Sequence, residues 1–454
     1  MDVGRALLAV DMDPQESSFD RFRQALDPEW IEAALAATGT ATVRRRKLPA
    51  EMRVWIVIGM GLFRDRSIQE VVHHLDLVLP QTKPQPRRAV ATSSAVVQAR
   101  DRLGSEPLRA LFEQTADHWG AASADAHRWR GLAVYGVDGS ALRIADTVEN
   151  EQAFGRPRTG RGASGYPQLR MVALMVLRSH LLAGLSVGPW SSGEISLAES
   201  LWPRIPDRSV TILDRGFLSY ALLHRLRVAG SERHWLIRAK SNLKWSTITS
   251  LGPDDQLVQL TMPRALRRSH PDLPETLVVR AVRYQRRGFR PQTLLTSLLD
   301  PAAYPAAEIT ALYHERWELE LGFDEIKTHA LEREEALRSR APERVRQELW
   351  GLALAYNLVR LHMAHVAQQA GVVPCRVSFR HALLQIRSFW ITAWVTSPGN
   401  LPHRLDALHR DLALLILPPR RSRSHPRAVK IKMSNYPRKP LPDARFRLSN
   451  RHCG

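Results

Sequence analysis

The stretch YHERWELELGFDEIK, residues 313–327, constrains this chain most, because Arg316, Glu320 and Lys327 stand at offsets of 3, 7 and 14 from Tyr313. At about 100° per residue of an α-helix, these offsets fall within an arc of roughly 60°. The spacing predicts one helical stripe on which a carboxylate is flanked by two cations and a phenol. Such a stripe suits a metal-bridged phosphate: the cations ligate phosphate oxygens, the tyrosine stacks or donates, and the glutamate binds a divalent ion. The segment also reads as a charged amphipathic helix whose buried side is Leu312, Leu319, Phe323 and Ile326. Taken alone, it leaves both readings open.

Two aspartates upstream bear on that choice. In GLAVYGVDGSALRIAD an apolar run ends in Asp138-Gly139-Ser140 before a second strand-like segment, which predicts a β-strand leading into a tight turn. In RSVTILDRGFLSYALLHRL the run Val210–Leu213 predicts a short buried strand that ends at Asp214, with Ser219 or a neighbour opening an amphipathic helix. A carboxylate at the C-terminal end of a strand faces the crevice where open α/β sheets bind ligands. Each aspartate also has a plainer explanation, since Asp-Gly is a frequent turn dipeptide and Asp often opens a helix. Three carboxylates in this order and context are harder to explain as turns and caps.

Together, VDGS, LDRGF and Y-x2-R-x3-E-x6-K resemble the three acidic motifs of DDE transposases of the insertion-sequence-four family. The likeness extends through residues 296–327 and 348–363 and, at the N-terminal end, 27–112, so it covers about residues 20–400 with no departure at the motif positions. It implies a ribonuclease-H-like α/β catalytic core with a β-rich insertion between Asp214 and Glu320. It implies that Asp138, Asp214 and Glu320 are catalytic metal ligands. Arg316 and Lys327 would then meet phosphates near the scissile bond, with Tyr313 positioning the backbone there. Three hard oxygen ligands suit Mg2+ or Mn2+ rather than zinc, and two such ions could serve an in-line phosphoryl displacement. The implied partner is double-stranded DNA, as terminal inverted repeats and target, bound by a homodimer in the synaptic complex. A metal-dependent nuclease without strand transfer, or a catalytically silent DNA-binding regulator, would be the alternatives. Three converging carboxylates argue against the second, because without metal they repel one another.

Composition agrees with a polyanionic partner. Across 454 residues, 65 Lys and Arg face 45 Asp and Glu, for a formal charge of +20 and a pI near 10.8. Nucleic acid fits that balance better than a membrane. Only Cys375 and Cys453 occur, without a CxxC, which excludes a disulfide scaffold and a structural zinc finger. The N-terminus lacks a signal-like apolar run, and the apolar tracts WIVIGMGLF and MVALMVL are too short to span a bilayer, so a cytoplasmic protein is expected.

The pattern divides the chain into a helical N-terminal DNA-binding domain (1–125), a catalytic domain (126–345) with its β-rich insertion at about 241–300, a helical region (346–418) and a basic, disordered tail (419–454). Helices are predicted at 29–38, from Pro49 through Met60, after a Ser67-x-x-Glu70 capping box, and from Ser94. Strands are predicted at 131–137, 169–178, 181–188, 209–213 and 233–239. Arg44–Lys47 and Arg87–Arg88 read as DNA contacts or as solvated basic loops.

Several neighbours complete the candidate site. Asp324 lies four residues past Glu320 and is either an auxiliary ligand or a salt-bridge partner of Lys327 or Arg316. Trp235 precedes Arg238 and Lys240 on a strand bordering the crevice; it either stacks on a displaced base or packs in the core, while the two cations meet DNA. Arg156, Arg158 and Arg161 stand on the Gly-rich loop 154–167, which reads as a phosphate-contacting or a solvated loop.

Overall fold

The structure, a computed structural model, describes residues 26–41, 48–74, 92–159, 162–163, 165–286, 290–332, 336–393 and 400–418. Arg44–Lys47, Arg87–Arg88, Arg161 and the basic tail lie outside the described residues, as does the side chain of Arg158.

Five helices come first: α1 (Pro28–Ala37), α2 (Ala50–Leu62), α3 (Ile68–His74), α4 (Ser93–Leu103) and α5 (Glu106–Ala126). Their starts follow local chemistry. Asp27 caps α1, its Oδ1 accepting from Glu29 N at 2.9 Å, and Pro28 occupies the first turn, where no amide hydrogen is needed. Ser67 and Glu70 form the expected reciprocal capping box, at 2.8 and 3.2 Å. Every residue of α2 except Glu51 is buried. A helix apolar all round must be enclosed, and here other helices enclose it. Among the described residues, no helix is long and apolar enough to cross a membrane.

The sheet then begins with β1 (Ala133–Ile144), followed by α6 (Val148–Phe154), β2 (Gln168–Val176), β3 (Leu182–Pro189), α7 (Glu194–Glu199), β4 (Ser209–Leu213), α8 (Tyr220–Val228) and β5 (Arg233–Arg238). Strands β1, β2 and β3 form an antiparallel meander, while β4 pairs parallel with β1, and β5 parallel with β4. The helix α8 supplies the crossover that a parallel β4–β5 pair requires. Next come β6 (Ser246–Gly252), β7 (Asp255–Thr261), α9 (Arg264–Ser269), β8 (Thr276–Tyr284) and β9 (Gln292–Thr296), which extend the same sheet antiparallel from β5 in the order β9, β8, β7, β6. This is a ribonuclease-H-like core with four further strands on one edge. The helices α10 (Ala306–His314) and α11 (Trp317–Asp324), a π-helical turn (Glu325–Ala330) and the short β10 (Ala336–Leu337) follow. Helices α12 (Pro342–Gln369), α13 (Phe379–Ala393) and α14 (Leu401–Ala413) complete the described chain.

Two expectations are corrected. The dipeptide Asp138-Gly139 makes no turn: β1 runs straight through it, in register with β2 from Tyr135↔Val176 to Arg143↔Gln168. Pairing with a full neighbouring strand outweighs the turn preference of two residues. The segment 313–327 is not one helix either. The chain turns at Glu315–Arg316 between α10 and α11, and the last stretch widens to a π turn in which Leu331 N reaches back to Ile326 O at 2.8 Å. The single-stripe geometry therefore applies within α11 only.

Two contacts hold the helices to each other and to the sheet. Helices α2 and α12 meet backbone to backbone, since a Cβ on Gly351 would lie 2.6 Å from Val57 O and one on Gly61 would lie 2.8 Å from Gly351 O. Beneath α11, a buried ionic cluster ties the π turn to α12 and to the β2–β3 turn. Glu325 accepts from Tyr356 Oη at 2.9 Å and from the fully buried Arg360 guanidinium. His180, in the left-handed region at φ 61, sets Nδ1 at 3.2 Å from Glu325 and Nε2 at 2.9 Å from Glu318. Burial alone would raise the Glu325 carboxyl, but Arg360 and His180 overcome it and hold the group down at about 2.

Gly351→Ala should force α2 and α12 apart and cost about 1–3 kcal/mol, read as a lower urea midpoint. Glu325→Leu should cost about 3–5 kcal/mol by stranding Arg360, and Glu325→Leu combined with Arg360→Met should recover part of that loss. Equal destabilisation by the single and double variants would show that the cluster is not held by this pair.

Candidate active site

Strands β1 and β4 stop pairing at Val137↔Leu213, and the next residue on each strand is an aspartate. Asp138 and Asp214 therefore occupy equivalent positions on neighbouring parallel strands, about 5 Å apart at the backbone. Their backbones then diverge: β1 continues beside β2, whereas Asp214 caps a 3-10 turn, its Oδ2 accepting from Gly216 N at 3.3 Å. Ser219 then opens α8, accepting from Leu222 N.

Glycines bring the third carboxylate close. A Cβ on Gly136 would lie 2.9 Å from Leu319, and one on Gly322 would lie 2.4 Å from the Met175 side chain, so α11 rests flush on β1 and β2. Glu320, next to Leu319, is thereby held over the end of the β1–β4 pair. Arg316 joins the set: its Nη2 donates to Glu320 Oε1 at 2.9 Å, and its Nη1 stands 3.8 Å from Asp214 Oδ1. Tyr313, in α10, is buried beside this group, and burial pushes its phenol up to about 12. Lys327 lies within the π turn.

The electrostatics favour a bound cation. Burial, with Asp214 and Glu194 nearby, pushes the Asp138 carboxyl up to about 6 against the hydrogen bond from Gly139 N at 2.8 Å. Glu194 escaped sequence reasoning. It opens α7 and folds over Gly139, whose missing side chain makes room, since a Cβ there would lie 2.7 Å from the Glu194 carboxyl carbon. The sequence signal at GEISLAE is no stronger than that of any helix start. A cluster of carboxylates sharing one arginine fits a hard divalent ion that takes oxygen ligands. Among the described residues, the group that brings metal-type ligand atoms within 4.8 Å of one another is His180, Glu318 and Cys375, not the three carboxylates. Arg360 already lies against the His180 ring, and the mixed N, O and S set does not suit Mg2+.

The other predicted residues divide. Lys240 is exposed and donates to Leu218 O at 3.3 Å, at the rim beyond Asp214. Arg238 ends β5, within electrostatic reach of Tyr313 and Tyr284. Trp235 is fully buried in β5, in register with Thr211 on one side and donating its backbone N–H to Ser297 Oγ at 3.1 Å on the other, so base stacking is ruled out and core packing is its role. Arg156 is held by Asp146 at 2.6 Å and Glu151 at 2.8 Å, which competes with phosphate contact. Asp324 is exposed and accepts from Thr328 Oγ1 at 2.6 Å, while Arg316 pairs with Glu320 and Asp214.

The raised Asp138 carboxyl has a consequence in the metal-free protein. Its folded value lies above the value of 3.8 for an unperturbed aspartate, so its ionisation penalises folding as pH rises from about 4 through 6. Asp138→Asn should therefore stabilise the protein in EDTA at pH 8 by about 1–3 kcal/mol and leave it unchanged near pH 3.5. Thermal melts at the two pH values check this, and equal effects at both would contradict it.

Comparison with known proteins follows the same residues. The chain matches the insertion element 4 transposase N-terminal family over residues 16–113 and the transposase DDE domain over residues 129–358. It is 39% identical over 446 residues to the transposase InsG for insertion sequence element IS4 of Escherichia coli (strain K12), covering 97% of this chain and 98% of that protein. It is also 37% identical over 223 residues to the putative transposase InsZ of the same organism, covering 49% of this chain and 72% of that one. Among solved structures it is similar to the piggyBac transposase in a synaptic complex with hairpin DNA. That likeness has a TM-score of 0.42 and 12% identity, over 88% of this chain and 85% of the other, and is too slight to carry an argument. With the DDE domain spanning half its length and a full-length relative at this identity, the chain belongs to the DDE transposases of the insertion element 4 family.

Proposed function

We propose that Asp138, Asp214 and Glu320 are the metal ligands with which this DNA transposase cuts transposon ends and joins them to target DNA. Membership of the family carries a dependence on divalent metal. The observation that supports this ligand set is the β1–β4 pairing, which stops just before an aspartate on each side, Asp138 and Asp214, beneath the helix that carries Glu320. We assign Mg2+ or Mn2+, two ions per site, because the donors are all carboxylate oxygens. Bound there, the ions would lower the cost of charge on the attacking and leaving oxygens of a phosphodiester.

The chain's own groups do the rest. Asp138 and Asp214 sit on strands fixed by neighbours on both sides, so they offer oxygens without reorganisation. Arg316 holds Asp214 and Glu320 together before metal enters, and its guanidinium then serves the phosphate beside the scissile bond. Lys327 and Lys240 extend positive charge along the strand, with Arg238 behind Tyr313, whose buried ring fixes the approach of the sugar-phosphate backbone. Arg156, Arg158 and Arg161 are assigned to phosphates outside this centre. Water first frees a 3′-OH at the transposon end, and that hydroxyl then attacks the target phosphodiester in the same site. Residues 1–125 read the ends, 126–345 cut and join, and a homodimer brings two ends together, with 346–418 completing the helical support and 419–454 adding basic charge.

The test is a labelled duplex carrying the element's own end, incubated with Mg2+ and the purified protein. Cleavage and joining should fall at least about a hundredfold in Asp214→Ala and Glu320→Ala and much less in Asp324→Ala. Cleavage that survives loss of Glu320 would remove it from the ligand set. Cleavage without joined product would make the protein a nuclease.

A further inference from the structure

We infer that an arginine-lined cleft beside the π turn is a second DNA-backbone site, gripping phosphates about three to four nucleotides from the scissile one; this rests on the active-site reading above. The cleft encloses about 780 Å³ between the α2–α3 connection, the end of the π turn and α13. Five arginines from separate parts of the chain line it: Arg64, Arg66, Arg338, Arg380 and Arg387. Among the described lining residues, Asp65 and Glu332 oppose them, which leaves that part of the wall net positive.

The arginines divide into a scaffold and a gripping pair. Arg64 is buried against Glu348, and Arg338 donates to Arg66 O at 2.5 Å and to Arg64 O at 3.3 Å. Arg387 donates to Leu62 O at 2.5 Å and to Glu332 at 2.8 Å. These contacts fix the α2–α3 connection, and with it the position of Arg66. Arg66 itself is exposed, with only loose pairs to Asp65 at 3.2 Å and Glu70 at 3.8 Å. Arg380 is exposed on the opposite wall and makes no ion pair among the described residues. Surface pairs of that kind cost little to exchange for phosphate.

The helix surface connects this cleft to the active site. Glu320, Asp324 and Thr328 are all exposed and recur every four residues, and the ridge is continuous through the Arg316–Glu320 and Asp324–Thr328 contacts. Thr328 lines the cleft. Eight residues of helix advance about 12 Å. One strand of a duplex rises about 3.4 Å per nucleotide along the duplex axis, so a duplex whose axis runs along the ridge reaches the cleft about three to four nucleotides from the phosphate at Glu320. An open, positively walled groove in line with the reacting centre suits a continuous polyanion. A free anion would be better served by a closed fork of donors.

The experiment compares the wild-type protein with Arg66→Ala/Arg380→Ala, and with a control, Arg208→Ala/Arg227→Ala. The control arginines lie just before β4 and in the last turn of α8, at the opposite end of the sheet from Asp214. Binding to the element's own end is measured in EDTA across a salt series, together with phosphate-ethylation interference. The double variant should lose about two units of the slope of log K against log salt, and at least about tenfold in affinity at 0.1 M salt. Ethylation three to four nucleotides from the cut should weaken wild-type binding and lose that effect in the variant. A slope and interference pattern matching those of the control would overturn the proposal. So would a melting temperature that inorganic phosphate raises in the wild type alone, with the DNA slope unchanged, since that marks a small-anion site. Because binding is read without metal, loss of cleavage in the wild type would instead count against the ligand triad and leave this test standing.

Discussion

Everything at the active centre depends on the parallel pairing of β1 with β4. Five residue pairs hold the two strands in register from Ala133↔Ser209 to Val137↔Leu213, and both strands are fully buried along that length. The register is what makes Asp138 and Asp214 neighbours, and a slip of one residue would turn one of them to the opposite face. Neither aspartate could be placed by its local turn alone. Glu320 is brought in by the same strand, because α11 rests on Gly136, two residues before Asp138. The distance between the carboxylates is therefore a property of the sheet, and loops contribute little to it.

Bringing those charges together costs stability, and the fold offsets the cost in two ways. Arg316 spans Asp214 and Glu320 on the open side of α11. On the closed side, Glu325 and Glu318 are bound to Arg360 and His180, so the helix that carries Glu320 is pinned from beneath by part-buried carboxylates on two fully buried basic groups. Pairs of that kind contribute little net stability compared with an apolar core, but they penalise any other placement of the helix, because displacement would strand buried charges. That is the property a reacting centre requires of its support.

The sequence exposed those parts of the site whose signals are local. Asp214 follows a five-residue apolar strand and precedes a capped helix, and Ser67 and Glu70 form a box that four residues suffice to recognise. It misled where tertiary pairing decides. Asp138-Gly139 looks like a turn, yet the glycine is there because Glu194 lies over it in the middle of a strand. The even spacing from Tyr313 to Lys327 looks like one helix, yet the chain turns at Arg316 and widens at Glu325 to meet Arg360. Glu194 itself, and the arginines of the cleft, were invisible because no short motif records which distant side chains a fold will gather.

The break at Arg316 and the widening at Glu325 are linked. An unbroken α-helix from Ala306 to Ala330 would run along one axis. Here α10 packs against β8 and α11 against β1, and at the turn between them Glu315 is held by Arg178 at 2.7 Å. The π turn then adds the rotation that points Glu325 inward to Arg360 while Asp324 and Thr328 stay outward. One irregular helix thus presents an ionic underside to the core and a continuous acidic-to-hydroxyl ridge to solvent.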